Sequence, residues 1–294
     1  MTRAAVRPRG TLHFWHDGVA FVGTDVVNDP HRHFTASLAF TLSRPFRARF
    51  DGERWRAMHG MLVAPNARQQ MDARRSRVVI FQIDPESGAY AELGGVFAQR
   101  GRVVELPAGL VGRLRAGAEA LLARVDFQAA ALWSFVLGEV RGDAQPLRVD
   151  RRVARALELL KRELPRRVDV ATLAAAVGLS PSRFVHVFNA QVGTSLRRYV
   201  LWLRLRHVVF CLAAGLSLTE ASHDAGFADS AHLCRTFRSM FGLPLSALFR
   251  SRGVQVVVTP PTEPPSGPHA PQDRERWAVV AAERARRRSP SHAA

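Results

Sequence analysis

The chain has 294 residues, enough for two domains, and 42 basic against 25 acidic side chains give it a formal net charge of +17. This balance favours a polyanionic partner, most simply nucleic acid, although only Lys161 is a lysine and an arginine bias can reflect coding composition. Two cysteines, Cys211 and Cys234, exclude a disulfide framework and any familiar zinc spacing, and no uncharged apolar stretch reaches the roughly 18 residues of a membrane span. Because no apolar run of signal-peptide length follows the N-terminus, we expect a soluble, cytoplasmic protein.

Residues 1–147 begin with a β-rich part. Up to about Leu106, short apolar runs are separated by Asp, Asn, Gly and Pro, a pattern typical of a sandwich or small barrel. The predicted strands are Gly18–Val22, Phe34–Leu42, Phe46–Phe50, Gly60–Val63 and Val78–Gln82. Two predicted helices follow, Ala108–Val125 and Phe127–Gly138. The second has an apolar stripe that is either core or a dimer seam, formed by Ala131, Leu132, Phe135 and Val136.

The chemical candidate in this part is the pair His31 and His33. Two histidines two apart on a strand point to the same face and can both reach a metal ion. The arrangement resembles the first metal motif of cupin barrels, and residues 60–65 resemble the start of the second. However, no glutamate follows His33 at the family's spacing, and Gln69 or Gln70 stands at the downstream histidine position. We therefore expect a cupin-like, metal-free pocket that binds a small molecule, or two histidines that only line a barrel mouth.

A linker pattern at residues 142–146 separates this part from a continuous run of helices at 148–250, which carries 16 basic and 7 acidic side chains. The first predicted helix is Arg151–Glu163. Asp169 caps a second, Val170–Val177, and Gly178 then supplies a turn. Ser180 and Pro181 open a third helix in the favoured order of cap and proline, and it runs to about Gln191.

The stretch 216–248 repeats this helix–glycine–helix pattern. Leu218, Ala221 and Ala225 form an apolar face, Gly226 is the turn, and Asp229 caps a helix from about Ser230 to Met240. The buried seam of that helix is predicted at Leu233, Phe237 and Met240. A long helix, Ser195–Ala214, joins the two units as a basic rod. Two such units predict a pair of helix-turn-helix elements, whose second helices fit the major groove of DNA.

Residues 151–250 resemble the DNA-binding domain of the AraC/XylS-type (arabinose-operon regulator) family. The resemblance lies in LAAAVGLSPSRFVHVF, in RLRHVVFCL and above all in SLTEASHDAGFADSAHLCRTFRSMFGLPLSALFR. It covers about a third of the chain, and the cupin-like part is similar, more weakly, to this family's sensor and dimerisation domain. The resemblance implies two helix-turn-helix units that enter successive major grooves of double-stranded DNA.

The resemblance also implies which side chains contact DNA. In the first unit the base-facing residues are Ser182, Val185 and His186, with Arg183 nearby. In the second unit they are Ser230, Ala231, His232, Cys234 and Arg235. Val185 and Ala231 depart from more polar versions, since they can contact only a thymine methyl group. Arg235 is the expected guanine reader, with a scaffold or phosphate contact as the alternative, whereas Arg238, Arg197 and Arg198 are expected at phosphates.

The overall expectation is an α+β chain with three parts: a cupin-like sensor or dimerisation domain at 1–147, a double helix-turn-helix domain at 148–250, and a tail at 251–294. In the tail, residues 254–259 form a strand or an extended segment, residues 259–271 are too rich in proline to pack, and residues 274–288 form a basic helix or a dispensable end.

We expect a sequence-specific transcription regulator, mainly an activator. Its expected partners are RNA polymerase, a small-molecule effector and a second copy of the chain, with no membrane, metal, cofactor or enzymatic activity. The alternatives are a nonspecific architectural DNA-binding protein and, less favoured, a cupin-type metal enzyme with a helical appendage.

Overall fold

The computed structural model describes residues 7–15, 18–85, 87–163, 169–213, 215–249 and 253–259. The proline-rich stretch and the basic helix predicted in the tail lie outside these residues.

Two β-sheets form the N-terminal part. The strands are β1 (Arg9–Trp15), β2 (Gly18–Thr24), β3 (Val26–Val27), β4 (His31–Arg32), β5 (Ala36–Thr41), β6 (Phe46–Phe50), β7 (Arg56–Met58), β8 (Gly60–Val63), β9 (Arg68–Ala73), β10 (Val78–Ile83), β11 (Val103–Glu105) and β12 (Val254–Val258). The larger sheet has the order β11-β8-β5-β10-β2-β1-β12, and the smaller has the order β3-β9-β6-β7 with β4 paired to β9. All five predicted strands are confirmed within one to two residues at each end.

The helices divide between the two parts of the chain. In the described residues they are α1 (Gly88–Arg100), α2 (Ala108–Leu122), α3 (Ala129–Arg141), α4 (Arg151–Glu163), α5 (Val170–Ala176), α6 (Pro181–Val192), α7 (Leu196–Ala213), α8 (Leu218–Asp224), α9 (Ser230–Phe241) and α10 (Ser246–Phe249). No single one of them is long and apolar enough to cross a membrane. Only α5 and α6 taken together have the length and composition, and that pair is bent by 82°.

The larger sheet is buried on both faces. Its outer face packs on α1, α2 and α3 through residues such as Leu38 and Phe81. Its inner face belongs to an apolar cluster that continues from Leu12 and Phe21, through the smaller sheet, to Trp202 and Phe237 of the helical part. The two parts of the chain therefore share one core cluster.

Helix α1 corrects the expectation that the chain is β-rich as far as Leu106. Ser87 caps this helix by accepting a hydrogen bond from the amide of Tyr90. Gly94 and Gly95 lower the helix propensity of the segment, but packing needs them. A Cβ atom at Gly95 would lie 2.1 Å from the carbonyl oxygen of Gln145, because the linker runs directly over this helix.

The stripe on α3 is part of the core. Leu132 and Val136 are buried, and Phe135 packs so closely on α2 that a Cβ atom at Gly117 would lie 2.2 Å from its ring. Of the two alternatives for this stripe, core and dimer seam, the structure favours core, with Ala131 left exposed.

Strand β12 confirms the strand expected at residues 254–259. It pairs in parallel with β1, with Leu12 opposite Val256. The chain thus returns from the helical part to the edge of the N-terminal sheet. The spacing of apolar residues in the sequence cannot predict such a long-range strand pairing.

Candidate nucleic-acid interface

The first helix–glycine–helix unit consists of α5 and α6. The Asp169 carboxylate accepts hydrogen bonds from the Thr172 hydroxyl group and from the amides of Thr172 and Ala171, and these bonds lower its pKa. Gly178 has φ +68°, a conformation that side chains rarely adopt, and reverses the chain. Ser180 then caps α6 through the amide of Arg183. The two capping residues and the glycine turn predicted from the sequence are therefore the ones that form this unit.

The second unit, α8 and α9, uses the same devices. Ser217 and Glu220 form a capping box, and the hydrogen bonds from Ser217 lower the pKa of the Glu220 carboxyl group. Gly226 has φ +75°. Asp229 caps α9 by accepting a 2.5 Å hydrogen bond from the His232 amide. The predicted seam is confirmed, since Leu233, Phe237 and Met240 are buried.

The rod between the units is α7, which is 18 residues long. At about 1.5 Å per residue it spans about 27 Å, somewhat less than the roughly 34 Å of one DNA turn. Tyr199 and Trp202 anchor it in the core, where both are among the largest fully buried side chains.

The side chains predicted to read bases differ in exposure. In the first unit Ser182, Arg183 and His186 are exposed and Val185 is half-buried. In the second unit Ala231 and Arg235 are exposed, whereas Ser230, His232 and Cys234 are half-buried. The His232 ring packs edge-on against Phe227, with 5.3 Å between centroids. All of these residues lie on the second helix of their unit, and their contacts with DNA stay a prediction.

Two of the arginines predicted at phosphates contact the N-terminal part. The Arg238 guanidinium pairs with the Asp29 carboxylate at 2.8 Å. The Arg198 guanidinium donates a 2.6 Å hydrogen bond to the Asn66 side-chain oxygen and lies over the Phe34 ring. By contrast, Arg183, Arg197 and Arg235 make no ion pair with any described residue. A phosphate contact by Arg198 or Arg238 would therefore compete with a contact inside the chain.

A buried polar joint that the sequence analysis missed holds α7 against the larger sheet. Asp84, which is fully buried, accepts a 2.9 Å hydrogen bond from the Trp202 indole and pairs with the Arg206 guanidinium. Arg206 also donates to the carbonyl oxygen of Trp15. The sequence around Asp84 gives no indication of its partner Arg206, which lies 122 positions away in the chain.

Each unit contacts the N-terminal part at the C-terminal end of its second helix, through different groups. The Tyr90 hydroxyl group donates a 2.6 Å hydrogen bond to the Val192 carbonyl oxygen at the end of α6, and burial raises its pKa. At the end of α9, the Asp29 amide donates a 2.7 Å hydrogen bond to the Gly242 carbonyl oxygen. The His33 ring contacts Phe241 with 5.9 Å between centroids. The C-terminal end of each second helix is therefore held by the N-terminal part.

His31 and His33 face each other, as the strand spacing predicts, with 2.9 Å between their Nε2 atoms. The Gln69 amide nitrogen lies 2.7 Å from His33 Nδ1 and the Gln82 amide nitrogen 3.2 Å from it. Because an amide nitrogen only donates, His33 Nδ1 accepts and its proton is on Nε2. His31 then accepts at Nε2 and donates from Nδ1 to the Asp29 carbonyl oxygen. The pair is a chain of neutral imidazoles.

Burial explains the neutral state. Desolvation lowers the pKa of His31 to about 4, and desolvation, with the neighbouring His31, lowers the pKa of His33 well below its ordinary value. Of the two glutamines considered for the downstream cupin position, Gln69 is the one that contacts His33.

His33 and Gln69 lie at the polar end of a cavity between the two parts of the chain. The cavity has a volume of about 110 Å³ and is partly open to solvent. Its walls are apolar, and they include Phe14 and Met71 from the sheets and Trp202, Phe237 and Phe249 from the helices. Among the described residues, the side-chain oxygen of Gln69 is buried there without a hydrogen-bond partner. A molecule in this cavity would touch α7 and α9 as well as the sheets.

Comparison with known proteins finds a family match within the helical part. Residues 173–251 match the model of a family described as a helix-turn-helix domain. The transcriptional activator NphR of Rhodococcus sp is 33% identical over 119 residues, which are 40% of this chain and 35% of that protein. The regulatory protein Ada of Salmonella typhimurium strain LT2 is 35% identical over 115 residues, 39% of this chain and 31% of that protein. The chain thus spans about a third of the length of these relatives.

The fold of most of the chain also has a counterpart. The apo structure of a ToxT variant from Vibrio cholerae strain SCE256 superposes with a TM-score of 0.56 over 80% of this chain and 97% of that one, at 9% sequence identity. This similarity concerns the arrangement of a β-rich part and a helical part.

Proposed function

We propose that this chain, whose residues 173–251 match a helix-turn-helix domain family and resemble the AraC/XylS-type domain, is a sequence-specific DNA-binding transcription regulator. The observation that carries the proposal is the pair of matched units, each capped, turned at a left-handed glycine and fixed to a common rod. An activating role has the support of the relative NphR, which is named an activator. Activation requires contact with RNA polymerase, which is the proposed protein partner. The proposed location is the cytoplasm.

Base reading is assigned to the second helices of the two units. Arg235, exposed and without an ion pair among the described residues, has a guanidinium available for bidentate contact with guanine. Ser182, His186, Ser230 and His232 supply further polar contacts, while Val185, Ala231 and Cys234 fit apolar contact with a thymine methyl group. Arg183 and Arg197 are available for phosphates, which position the protein without specifying sequence.

The test is sequencing of the DNA that the chain binds in cells. A regulator with two units should yield a recurring site of about 20 base pairs, two adjacent helical turns. Binding spread over the genome without a recurring site would instead favour a nonspecific architectural protein, the second candidate supported by the net charge of +17.

The N-terminal part is proposed to sense an apolar molecule. The cavity between the sheets, α7 and α9 has apolar walls and one polar end, and the unpartnered oxygen of Gln69 invites a hydrogen-bond donor. Such an effector is a hydrocarbon or aromatic body with a hydroxyl or protonated acid group. His33 and Gln69 line this polar end, and a glutamine in place of a further histidine ligand favours binding of this kind over metal-dependent catalysis.

An apolar dye that fluoresces when shielded from water tests this site. Ala39→Phe adds a ring at a buried cavity position, whereas Leu216→Phe adds a ring at an exposed position away from the cavity. Dye binding should weaken in the first variant and persist in the second. Equal binding by both variants would show that the cavity does not take the dye, and this part of the proposal would be wrong.

We further propose that the effector acts through the contacts of α9 with β4. Asp29 holds Arg238 and the Gly242 carbonyl oxygen, so that release of α9 frees one guanidinium for phosphate. Asp29→Ala should then raise DNA affinity without effector by at most a few-fold, since exposed ion pairs contribute about 0–1 kcal/mol. Asp51→Ala, which removes a comparably exposed carboxylate from the same part of the chain, is the control and should leave affinity unchanged. Homodimerisation through residues 1–147 is an additional proposal that sedimentation of the free chain tests.

A further inference from the structure

Three potential metal ligands meet where the end of the rod packs on the second unit. His207 and Cys211 lie one turn apart on the same face of α7, and Asp224 is the last residue of α8. The imidazole Nε2 atom contacts the Asp224 carboxylate, and the Cys211 Sγ atom lies 3.3 Å from the same oxygen. All three ligand atoms lie within 4.8 Å of one another.

The types of ligand fit a borderline-soft divalent cation. Imidazole nitrogen, thiolate sulfur and carboxylate oxygen are the three protein donors that zinc takes. With zinc bonds of about 2.0–2.3 Å, ligand atoms in a tetrahedral site stand about 3–4 Å apart. An ion therefore requires only a small outward rotation of Asp224, whose side chain is 48% exposed.

The surrounding electrostatic field also favours a cation. Cys211 and Asp224 lie in the last turns of α7 and α8, where the backbone carbonyl groups give each helix end a partial negative charge. A carboxylate at the C-terminal end of a helix is unfavourable by itself, and a bound cation would reverse that effect.

The burial of the three residues provides an anchored side and an open side. Cys211 is 6% exposed and the His207 side chain 19% exposed, so both are held by the packing of α7. The exposed Asp224 leaves a path for the ion and room for a water molecule as the fourth ligand.

We propose that His207, Cys211 and Asp224 bind a divalent transition-metal ion of the zinc class, which fastens the rod to the first helix of the second unit. This site is separate from the cavity and from the DNA-reading side chains. It does not depend on the function proposed above.

Cobalt(II) is the probe, because a cobalt–thiolate bond gives a near-ultraviolet charge-transfer band that imidazole or carboxylate ligands alone do not give. Titration of the tag-free, reduced full-length chain should develop this band to saturation at one equivalent, and zinc should abolish it by displacement. Cys234→Ser is the matched control, since it removes the only other cysteine and should leave the band intact. Cys211→Ser should remove the band.

Asp224→Asn and His207→Gln test the other two ligands. Loss of an outer-shell partner costs about 10–100-fold in metal affinity, so the loss of a direct ligand should weaken cobalt binding at least as much. Because Asp224 is half-exposed, Asp224→Asn should fold normally, which circular dichroism checks independently of metal. Zinc should raise the melting temperature of the wild-type chain and of Cys234→Ser, but not that of Cys211→Ser.

Three results would overturn the proposal. The first is a wild-type chain without a cobalt–thiolate band, in which case the contacts of Asp224 with His207 and Cys211 are hydrogen bonds and not a metal site. The second is a band that survives Cys211→Ser and disappears in Cys234→Ser, which would assign the thiolate to α9. The third is unchanged cobalt affinity in folded Asp224→Asn, which would remove Asp224 from the site and contradict the three-ligand set.

Discussion

Arg235 and Arg238 lie one turn apart on α9, yet their surroundings differ. Arg238 is paired with Asp29 of the N-terminal part, whereas Arg235 is exposed and without an ion pair among the described residues. A guanidinium without an internal partner has no contact to give up when it meets a base. This difference makes Arg235, not Arg238, the residue on which sequence preference is expected to depend.

Arg235→Ala should therefore relax base preference at one position of the binding site, at a cost of about 1–3 kcal/mol in discrimination. Arg197→Ala removes a side chain assigned to phosphate. It should weaken binding to all sequences alike and reduce the slope of log affinity against log salt by about 0.9. Binding to a set of single-base variants at several salt concentrations measures both effects. Uniform weakening in Arg235→Ala would reassign that residue to a phosphate or to the scaffold.

The two buried histidines predict a pH dependence of stability. Their folded-state pKa values are lowered, to about 4 for His31, whereas the ordinary value is 6.5. Between these values the unfolded chain binds more protons than the folded one, so the free energy of unfolding should fall as pH falls from about 6.5 towards 4. His13, lowered to about 4 by burial, adds to the same trend.

His33→Gln should flatten this dependence, because glutamine cannot be protonated. Urea unfolding at pH 7 and at pH 5 gives the two free energies, and the difference between them should be smaller in the variant. His186→Gln replaces an exposed imidazole on α6 and should leave the wild-type difference intact. A His33→Gln difference equal to that of the wild-type chain would mean that His33 takes up a proton between pH 7 and pH 5 as readily in the folded chain as in the unfolded chain.

At the scale of the element, α6 and α9, the second helices of the two units, each begin directly after a capping residue that follows a glycine turn. For α9 the cap is the Asp229 carboxylate, which accepts from the His232 amide. Asp229→Ala should lower the free energy of unfolding by about 1 kcal/mol, and Asp229→Asn should change it little, because asparagine caps as well as aspartate. Thermal unfolding of the three chains measures the differences. Equal losses in both variants would indicate that the carboxylate acts by its charge and not as a cap.

The elements also show where local signals were insufficient. Helix α1 contains Gly94 and Gly95, which lower helix propensity, and it forms because the linker packs tightly over those two glycines. Strand β12 forms because β1 offers a free edge to pair with. In both cases another segment of the chain compensates for a weak local preference.

At the scale of the whole molecule, the joint around Asp84 holds the two parts together. Asp84 is fully buried, and the Arg206 side chain is 11% exposed. Asp84→Asn should leave the arginine charge buried without its counter-charge, at a cost of about 3–5 kcal/mol. Asp126→Asn breaks an ion pair whose side chains are at least 60% exposed and should change stability little. Chemical denaturation of both variants checks this prediction, and a negligible loss in Asp84→Asn would mean that water reaches Arg206.

The molecule is also arranged so that its parts can influence each other. The cavity is lined by both sheets and by α7 and α9, and Asp29 joins the segment just before β4 to the end of α9. An effector that alters this region would act on the second unit more directly than on the first, because the reading helix itself forms part of the cavity wall.

The amino-acid sequence by itself determined the two helix-turn-helix units, the rod and five of the twelve strands in the described residues. Their signals are local: Asp169, Ser180 and Asp229 cap the helices that follow them, and Gly178 and Gly226 occupy positive φ angles within a few residues of those caps. Even the approach of His31 to His33 follows from the two-residue period of a strand.

Only the tertiary structure determined which distant groups meet. Asp29 reaches Arg238 across 209 positions, Asp84 reaches Arg206 across 122, and Asp224 joins His207 and Cys211 from the next helix. None of these pairs follows a period or a motif, because each depends on how separate elements pack. For that reason α6 and α9 could be located from the chain alone, whereas the cavity, the buried joint and the candidate metal site could not.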